Sequence, residues 1–345
     1  MKSWWNFESK KSNISPYIVE IKNEDRTVGI LPFYLSLVEF ANLTFRILQP
    51  MGNHRSDYII PILSKACSSD ELLDLAFNAI YKDQKSWDYI EWDDIPESAT
   101  FARFLTKSSF KFYVEGRRHN TCPYFVLNGD FEVAKSQFNY KLLKDVLYKE
   151  RKLKREGIVT FSRVLNEEEI EPIMNKLFEL HNKRWQGTPT PSQFRYAEER
   201  EYALCAAKEL HKSRLLNLAY ICLNSEIIAV NFGMMDGKKS YFYLHAFDIA
   251  YRKYSPGQLL LYYLVQQACR EKLKVIDLMR GDEGYKGKWR TGVNHNVKYE
   301  FFNSSLKSRA YRFLFHQSRN QRIIRKVSAV FTMMRSLARH RTSTH

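Results

Sequence analysis

Residues 251–265 read YRKYSPGQLLLYYLV. Two cations and two tyrosines lead into a Ser-Pro-Gly, and the chain then turns apolar. Ser255 suits a helix N-cap, and Pro256 suits the first helical position, where its missing N–H costs nothing. Gly257 leaves the first-turn amides unobstructed. A helix N-terminus with Arg252 and Lys253 just upstream suits a phosphate, although the same residues also serve simply to start a helix. The flanking sequence predicts a strand at Tyr241–Phe247 before the turn and another at Val275–Met279 after the helix. The order is therefore strand, turn, apolar helix, strand.

Working outward, the chain repeats this plan. Residues 17–35 and 218–235 each read as strand, charged or polar turn, strand. In the first half a strand (SDYIIPIL, 56–63), a helix (64–83) and a strand (WDYIEWDDI, 87–95) follow. In the second half the corresponding segments are 240–250, 251–272 and VIDLMRG, 275–281. Between the halves, 131–156 reads as a helix with Phe138, Leu142, Val146 and Leu153 on one face and a basic opposite face ending at Gly157. That face is either solvated or a dock for an anionic acceptor. Further helices are expected at 167–185 and 197–212. The expected architecture is α/β with mixed sheets: two tandem units, 1–130 and 131–303, and a basic helical tail, 304–345.

Composition narrows the class. Apolar residues make up 44% of the 345 and aromatics 14%, enough for substantial cores. Ten of the net sixteen positive charges fall within 305–345, which holds no Asp or Glu. Basicity concentrated in a tail argues against a nucleic-acid binder. Ile323, Val327, Val330, Met334 and Leu337 recur there at helical spacing, as on a helix lying against an anionic membrane or against the protein itself. Cys67, Cys122, Cys205, Cys222 and Cys269 are scattered and form no metal-ligand spacing, so no metal is expected. MKSWWNFESKK carries no signal-peptide core, and no run reaches bilayer-crossing length. The expected location is the cytoplasm, with the tail able to reach the inner membrane face.

Arg252-Lys253-Tyr254-Ser255-Pro256-Gly257 resembles the acyl-CoA loop of the Gcn5-related N-acetyltransferase (GNAT) fold, Gln/Arg-x-x-Gly-x-Gly/Ala, with Ser for the first Gly. Together with Asp277, Gly281, Glu283, Tyr285, Lys286 and Trp289 it is similar to the CelD-type acetyltransferases associated with cellulose and exopolysaccharide biosynthesis. These are related to the FemA/FemX peptidyltransferases, which are built from tandem GNAT-like domains. The resemblance is specific in the second half and weak in the first. There, SKACSSDELL places Asp70 and Glu71 where a phosphate would sit and holds no Gly, as in a degenerate copy.

The resemblance implies acetyl-CoA as co-substrate. Backbone N–H groups near Ala246, Phe247 and Asp248 would polarise the thioester, and the turn Ser255, Pro256, Gly257, Gln258 and Leu259 would take the pyrophosphate. Tyr285 is the candidate acid for the thiolate, or a packing partner of Trp289. Lys286 is a candidate for a phosphate or for transition-state charge. Glu283 and Asp277 are candidate bases if burial raises their pKa, and Asp277 could instead hold the following turn. His245 is base or packing. Asp57 and Tyr58, with His181, Trp185 and Trp289, are expected on the acceptor side. The reading is an acyltransferase acting on an amine or hydroxyl of a small-molecule, glycan or envelope precursor by direct attack in a ternary complex. The alternatives are a FemX-like aminoacyl-tRNA ligase and a silent membrane-associated scaffold.

Overall fold

The computed structural model describes residues 2–40 and 43–317. The amphipathic tail segment, 323–337, lies outside the described residues. The strands are β1 (Ile14–Asn23), β2 (Arg26–Phe40), β3 (Leu43–Pro50), β4 (Ile62–Leu63), β5 (Tyr89–Pro96), β6 (Tyr113–Val126), β7 (Val159–Arg163), β8 (Leu216–Leu223), β9 (Glu226–Met235), β10 (Lys239–Phe247), β11 (Val275–Asp277) and β12 (Gly292–Phe302). Among the described residues they form one mixed sheet in the order β1-β2-β3-β5-β12-β6-β11-β10-β9-β8-β7, with β4 on β2. The expected α/β class with mixed strand pairing is the observed fold.

The chain crosses between the halves twice. β6 pairs antiparallel with β11 through Tyr124–Val126, and β12 returns to lie between β5 and β6. Alternate β12 residues Val297, Tyr299 and Phe301 enter the first core. Phe301 is fully buried there, its ring 5.5–5.9 Å from those of Phe77, Phe110 and Phe112. In the second half the helix Pro256–Arg270 buries its apolar run, from Leu259 to Cys269, against one sheet face. Helices Ile170–Trp185 and Ala197–Lys212 cover the other.

Three local readings need correction. The strand expected over 56–63 is confined to Ile62–Leu63. The preceding segment leaves the sheet because its side chains cross to the other half, and Ile59 instead trades bonds with Asp94 and Trp92. β3 went unread because Arg46 interrupts its apolar pattern; that guanidinium pairs with buried Asp88. The 131–156 helix is two helices, Phe131–Ser136 and Tyr140–Lys154, because the Asn139 side chain caps a new start by accepting from the Lys141 and Leu142 amides.

If β12 welds the halves, Phe301→Ala is expected to cost about 3–5 kcal/mol, read as a lowered urea midpoint. A midpoint unchanged from the parent protein would contradict this role for the strand.

Candidate active site

The turn before the apolar helix has an unexpected conformation. Ser255 sits at φ 53°, ψ 55°, the left-handed region, which costs an L-residue about 1–2 kcal/mol. This is where the GNAT loop pattern has its first Gly, so the backbone keeps a glycine geometry under a serine. The N-cap reading of its hydroxyl is corrected: the side chain makes no capping bond, and the Ser255 carbonyl accepts from the Gln258 and Leu259 amides. Ser255 N–H donates to the Arg252 carbonyl, and Pro256 has none to give. That leaves the Gly257 N–H without an acceptor among the described residues. Arg252 and Lys253 are exposed beside it.

Downstream, β10 and β11 pair only through Lys239–Tyr241 and Val275–Asp277, while β10 continues beside β9 to Phe247. The two strands part, and the opening is a notch facing the helix start. His245 lies in it, stacked on Phe242 at 4.8 Å and edge-on to Tyr285 at 5.5 Å. A Cβ built on Gly257 would meet His245 and Phe247 at 3.4 Å. Burial, helped by the Arg184 charge, holds His245 down at about 3, so the ring is neutral. Burial first and Glu283 second push the Tyr285 hydroxyl well above its usual value, so it keeps its proton. Ala246 is buried in the core, and Asp248 N–H already donates to the Ile228 carbonyl. The Asp248 carboxylate accepts from Ala250 N–H and pairs with Lys183.

The short helix Gly284–Trp289 closes the notch. Lys286 is buried, its Nζ donating to the Arg280 carbonyl at 2.7 Å and pairing with exposed Glu283 at 2.9 Å. It therefore pins the 279–281 turn. Trp289 is in the core and donates to Gln258 Oε1 at 2.7 Å, tying this helix to the apolar one.

Between the halves lies a cleft of about 1630 Å³. Asp57 and Tyr58 line it, with Tyr243, Tyr202, Glu91 and Met279 among their neighbours. Tyr58 Oη donates to both Asp277 oxygens at 2.8 and 2.9 Å, joining residues from opposite halves. Burial raises Asp277 above the ordinary carboxylate range, opposed by the Met279 amide and the Tyr58 hydroxyl. Burial likewise raises Asp57, opposed by Arg280. Arg280 bridges Asp57 and Asp94, and Asn296 donates to Asp94 at 3.1 Å. Neither Arg280 nor Asp94 was singled out from the sequence. Arg280 falls inside the quoted VIDLMRG, 275–281, but Asp94 carries no local signal. Around this network His54, Asp94 and Met279 have positive φ, a conformation that costs an L-residue energy. His181 and Trp185 lie apart from the cleft lining. His181 Nδ1 bonds Ser192 at 2.8 Å, and burial holds it at about 4. Among the described residues no group of three His, Cys, Asp or Glu is arranged for a metal, and no helix is long and apolar enough to cross a membrane.

Residues 141–287 match the sequence family described as an acetyltransferase (GNAT) domain. The second half is GNAT-like. Solved structures extend the likeness to both halves. FemX is 13% identical with a TM-score of 0.59, covering 91% of this chain and 93% of its own. The C-terminal domain of a putative lysylphosphatidylglycerol synthetase from Agrobacterium fabrum is 11% identical with a TM-score of 0.55, covering 90% and 93%. L-PGS from Bacillus licheniformis is 13% identical with a TM-score of 0.52, covering 88% and 93%. At these identities the likeness establishes a shared fold over nine-tenths of the chain. No curated protein matches by sequence.

The GNAT turn yields a direct test. Ser255→Gly relieves the left-handed strain and is expected to raise stability by up to about 1 kcal/mol, whereas Ser255→Val lowers it. A thermal melt in which both variants behave alike would contradict the assigned backbone.

Proposed function

We propose that the protein transfers an acyl group from a pantetheine thioester, acetyl-CoA in the first instance, to an amine or hydroxyl. The observation that carries this reading is the notch where the Gly257 amide, neutral His245 and protonated Tyr285 meet, one strand from the Tyr58–Asp277 pair at the cleft. The thioester would lie along β10, with its phosphate on the Gly257 amide beside Arg252 and Lys253. The acceptor would occupy the cleft over Asp57 and Tyr58. An envelope or exopolysaccharide precursor is the acceptor that the CelD-type resemblance favours. We keep the division into a degenerate first unit and a GNAT unit as part of this proposal.

The acceptor nitrogen or oxygen attacks the thioester carbonyl. Its proton passes to the Tyr58 oxygen while the Tyr58 proton moves to Asp277. A concerted relay is required, because the Tyr58 hydroxyl is itself held far above its usual range by burial and Asp277. The C–S bond breaks, and Tyr285 gives its proton to the departing sulfur. Asp277 gains one proton and Tyr285 loses one, and exchange with solvent restores both. Asp277 is the base in this reading; Glu283 is exposed and engaged with Lys286. Lys286 and Trp289 act as positioning residues.

Gly257→Glu is expected to abolish acetyl-CoA binding in isothermal titration with an unchanged melting profile. Failure of the parent protein to bind any pantetheine thioester would sink the proposal.

A second test concerns pH. Asp277→Asn is expected to lower thiol release from acetyl-CoA by about 10²–10⁴-fold. In the parent protein that rate should climb with pH as Asp277 ionises, above the ordinary carboxylate range. Tyr58→Phe breaks the relay and should lower the rate as Asp277→Asn does, and because it also removes a donor that favours the ionised carboxylate, the acid limb of the residual rate should move to higher pH. A limb that stays in place would dissociate Tyr58 from the base.

A further inference from the structure

The helix Tyr140–Lys154 packs beside the phosphate turn, and the Lys149 ammonium donates to the Lys253 carbonyl at 2.9 Å. Its buried stripe is Leu142, Val146 and Leu153. On the outer side, Lys141, Lys144, Tyr148, Arg151 and the C-cap Arg155 are all exposed. Their spacing of three and four residues puts them in one row, about 21 Å long at 1.5 Å per residue. Lys141, Lys144, Arg151 and Arg155 have no ion-pair partner among the described residues. The carboxylates that could neutralise them are engaged elsewhere. Glu150 accepts from the Tyr263 hydroxyl at 2.7 Å and pairs with Lys154, and Glu156 accepts from the Tyr254 hydroxyl. Asp145 is the one acidic side chain exposed within the row.

We propose that this ridge docks an acidic, helical carrier protein whose phosphopantetheine arm delivers the acyl thioester to the notch. The inference rests on the thioester-donor reading above and names the donor's carrier. Three observations favour it. The ridge abuts the mouth of the notch and is tied to it through Lys149, so a partner seated there is held at a set distance from Gly257. The turn offers one unengaged amide, which suits the single phosphate of a carrier-borne arm better than the diphosphate of CoA. Unit positive charges on one helix face complement the separate carboxylates of an acidic helix. A continuous phosphate backbone would run over Asp145, whereas an array of separate carboxylates can step past it.

The test compares acetyl-loaded acyl carrier protein, its apo form without the arm, acetyl-CoA, bulk tRNA and phosphatidylglycerol vesicles, each titrated against the full chain. A Lys144→Glu/Arg151→Glu variant is run in parallel. The expected result is that the acetyl-loaded carrier binds at least tenfold tighter than acetyl-CoA, with affinity falling as salt rises. The double charge reversal should remove that preference while leaving acetyl-CoA binding and the melting temperature unchanged. Acetyl-CoA binding as tight as the loaded carrier, with no effect of charge reversal, would overturn the inference and leave the thioester reading standing. So would a charge-dependent preference for tRNA or for the vesicles. If neither thioester binds, both readings fall.

Discussion

The insertion of β12 between β5 and β6 is the constraint on which the rest of this molecule depends. A strand carries a hydrogen-bonding group on both edges at every residue, and a buried backbone group left unpaired costs free energy comparable to a lost hydrogen bond. β12 is paired with β6 along its whole length and with β5 from Asn296 onward, so it cannot leave without stranding both neighbours. The two halves are held in one continuous sheet. That is why Tyr58 and Asp277, 219 residues apart in sequence, stand at 2.8 Å.

Holding the halves in register brings carboxylates together where water is scarce. Asp57, Asp94 and Asp277 are all buried beneath the cleft. An isolated buried charge costs several kcal/mol, and the guanidinium of Arg280 bridges two of the three. The third, Asp277, relies on neutral donors and has no cation at contact distance among the described residues, while burial raises its proton affinity as it does that of Asp57. That difference is the ground on which the proposed mechanism assigns the base to Asp277. The backbone follows the same geometry: left-handed residues at Asp94 and Met279 aim the carboxylate and the turn, at a cost of about 1–3 kcal/mol each. Lys286, pinned on main-chain carbonyls, keeps that turn in place.

The notch differs from the cleft in being lined by groups that are themselves neutral. A neutral imidazole, a protonated phenol and a single free amide make a surroundings suited to an uncharged thioester. Positive charge borders it through Arg184, over the Phe247 ring, and extends outward over Arg252, Lys253 and the neighbouring helix face, where solvent or an anionic partner can meet it. The tyrosine that engages half-buried Glu150 therefore shapes the outer potential as well as the packing.

Local physics made much of this legible in advance. The helix at 256–270 follows from Pro256 and its unbroken apolar run, the hairpins from alternating strands around short polar turns, and the notch residues from their place after β10 and β11. Asp57 and Tyr58 were expected at the acceptor cleft only through the family resemblance, and their partners were not expected at all. Serine in a left-handed position, the release of 56–61 from the sheet and the Arg280–Asp94 bridge all arise from contacts between residues far apart in the chain, which no local pattern encodes. The sequence by itself determined the elements and the duplicated α/β plan, because periodicity and capping are near-neighbour effects. Only the tertiary structure decided which carboxylate is chemically free and where the charge faces, because both depend on what burial and strand exchange place within a few ångströms.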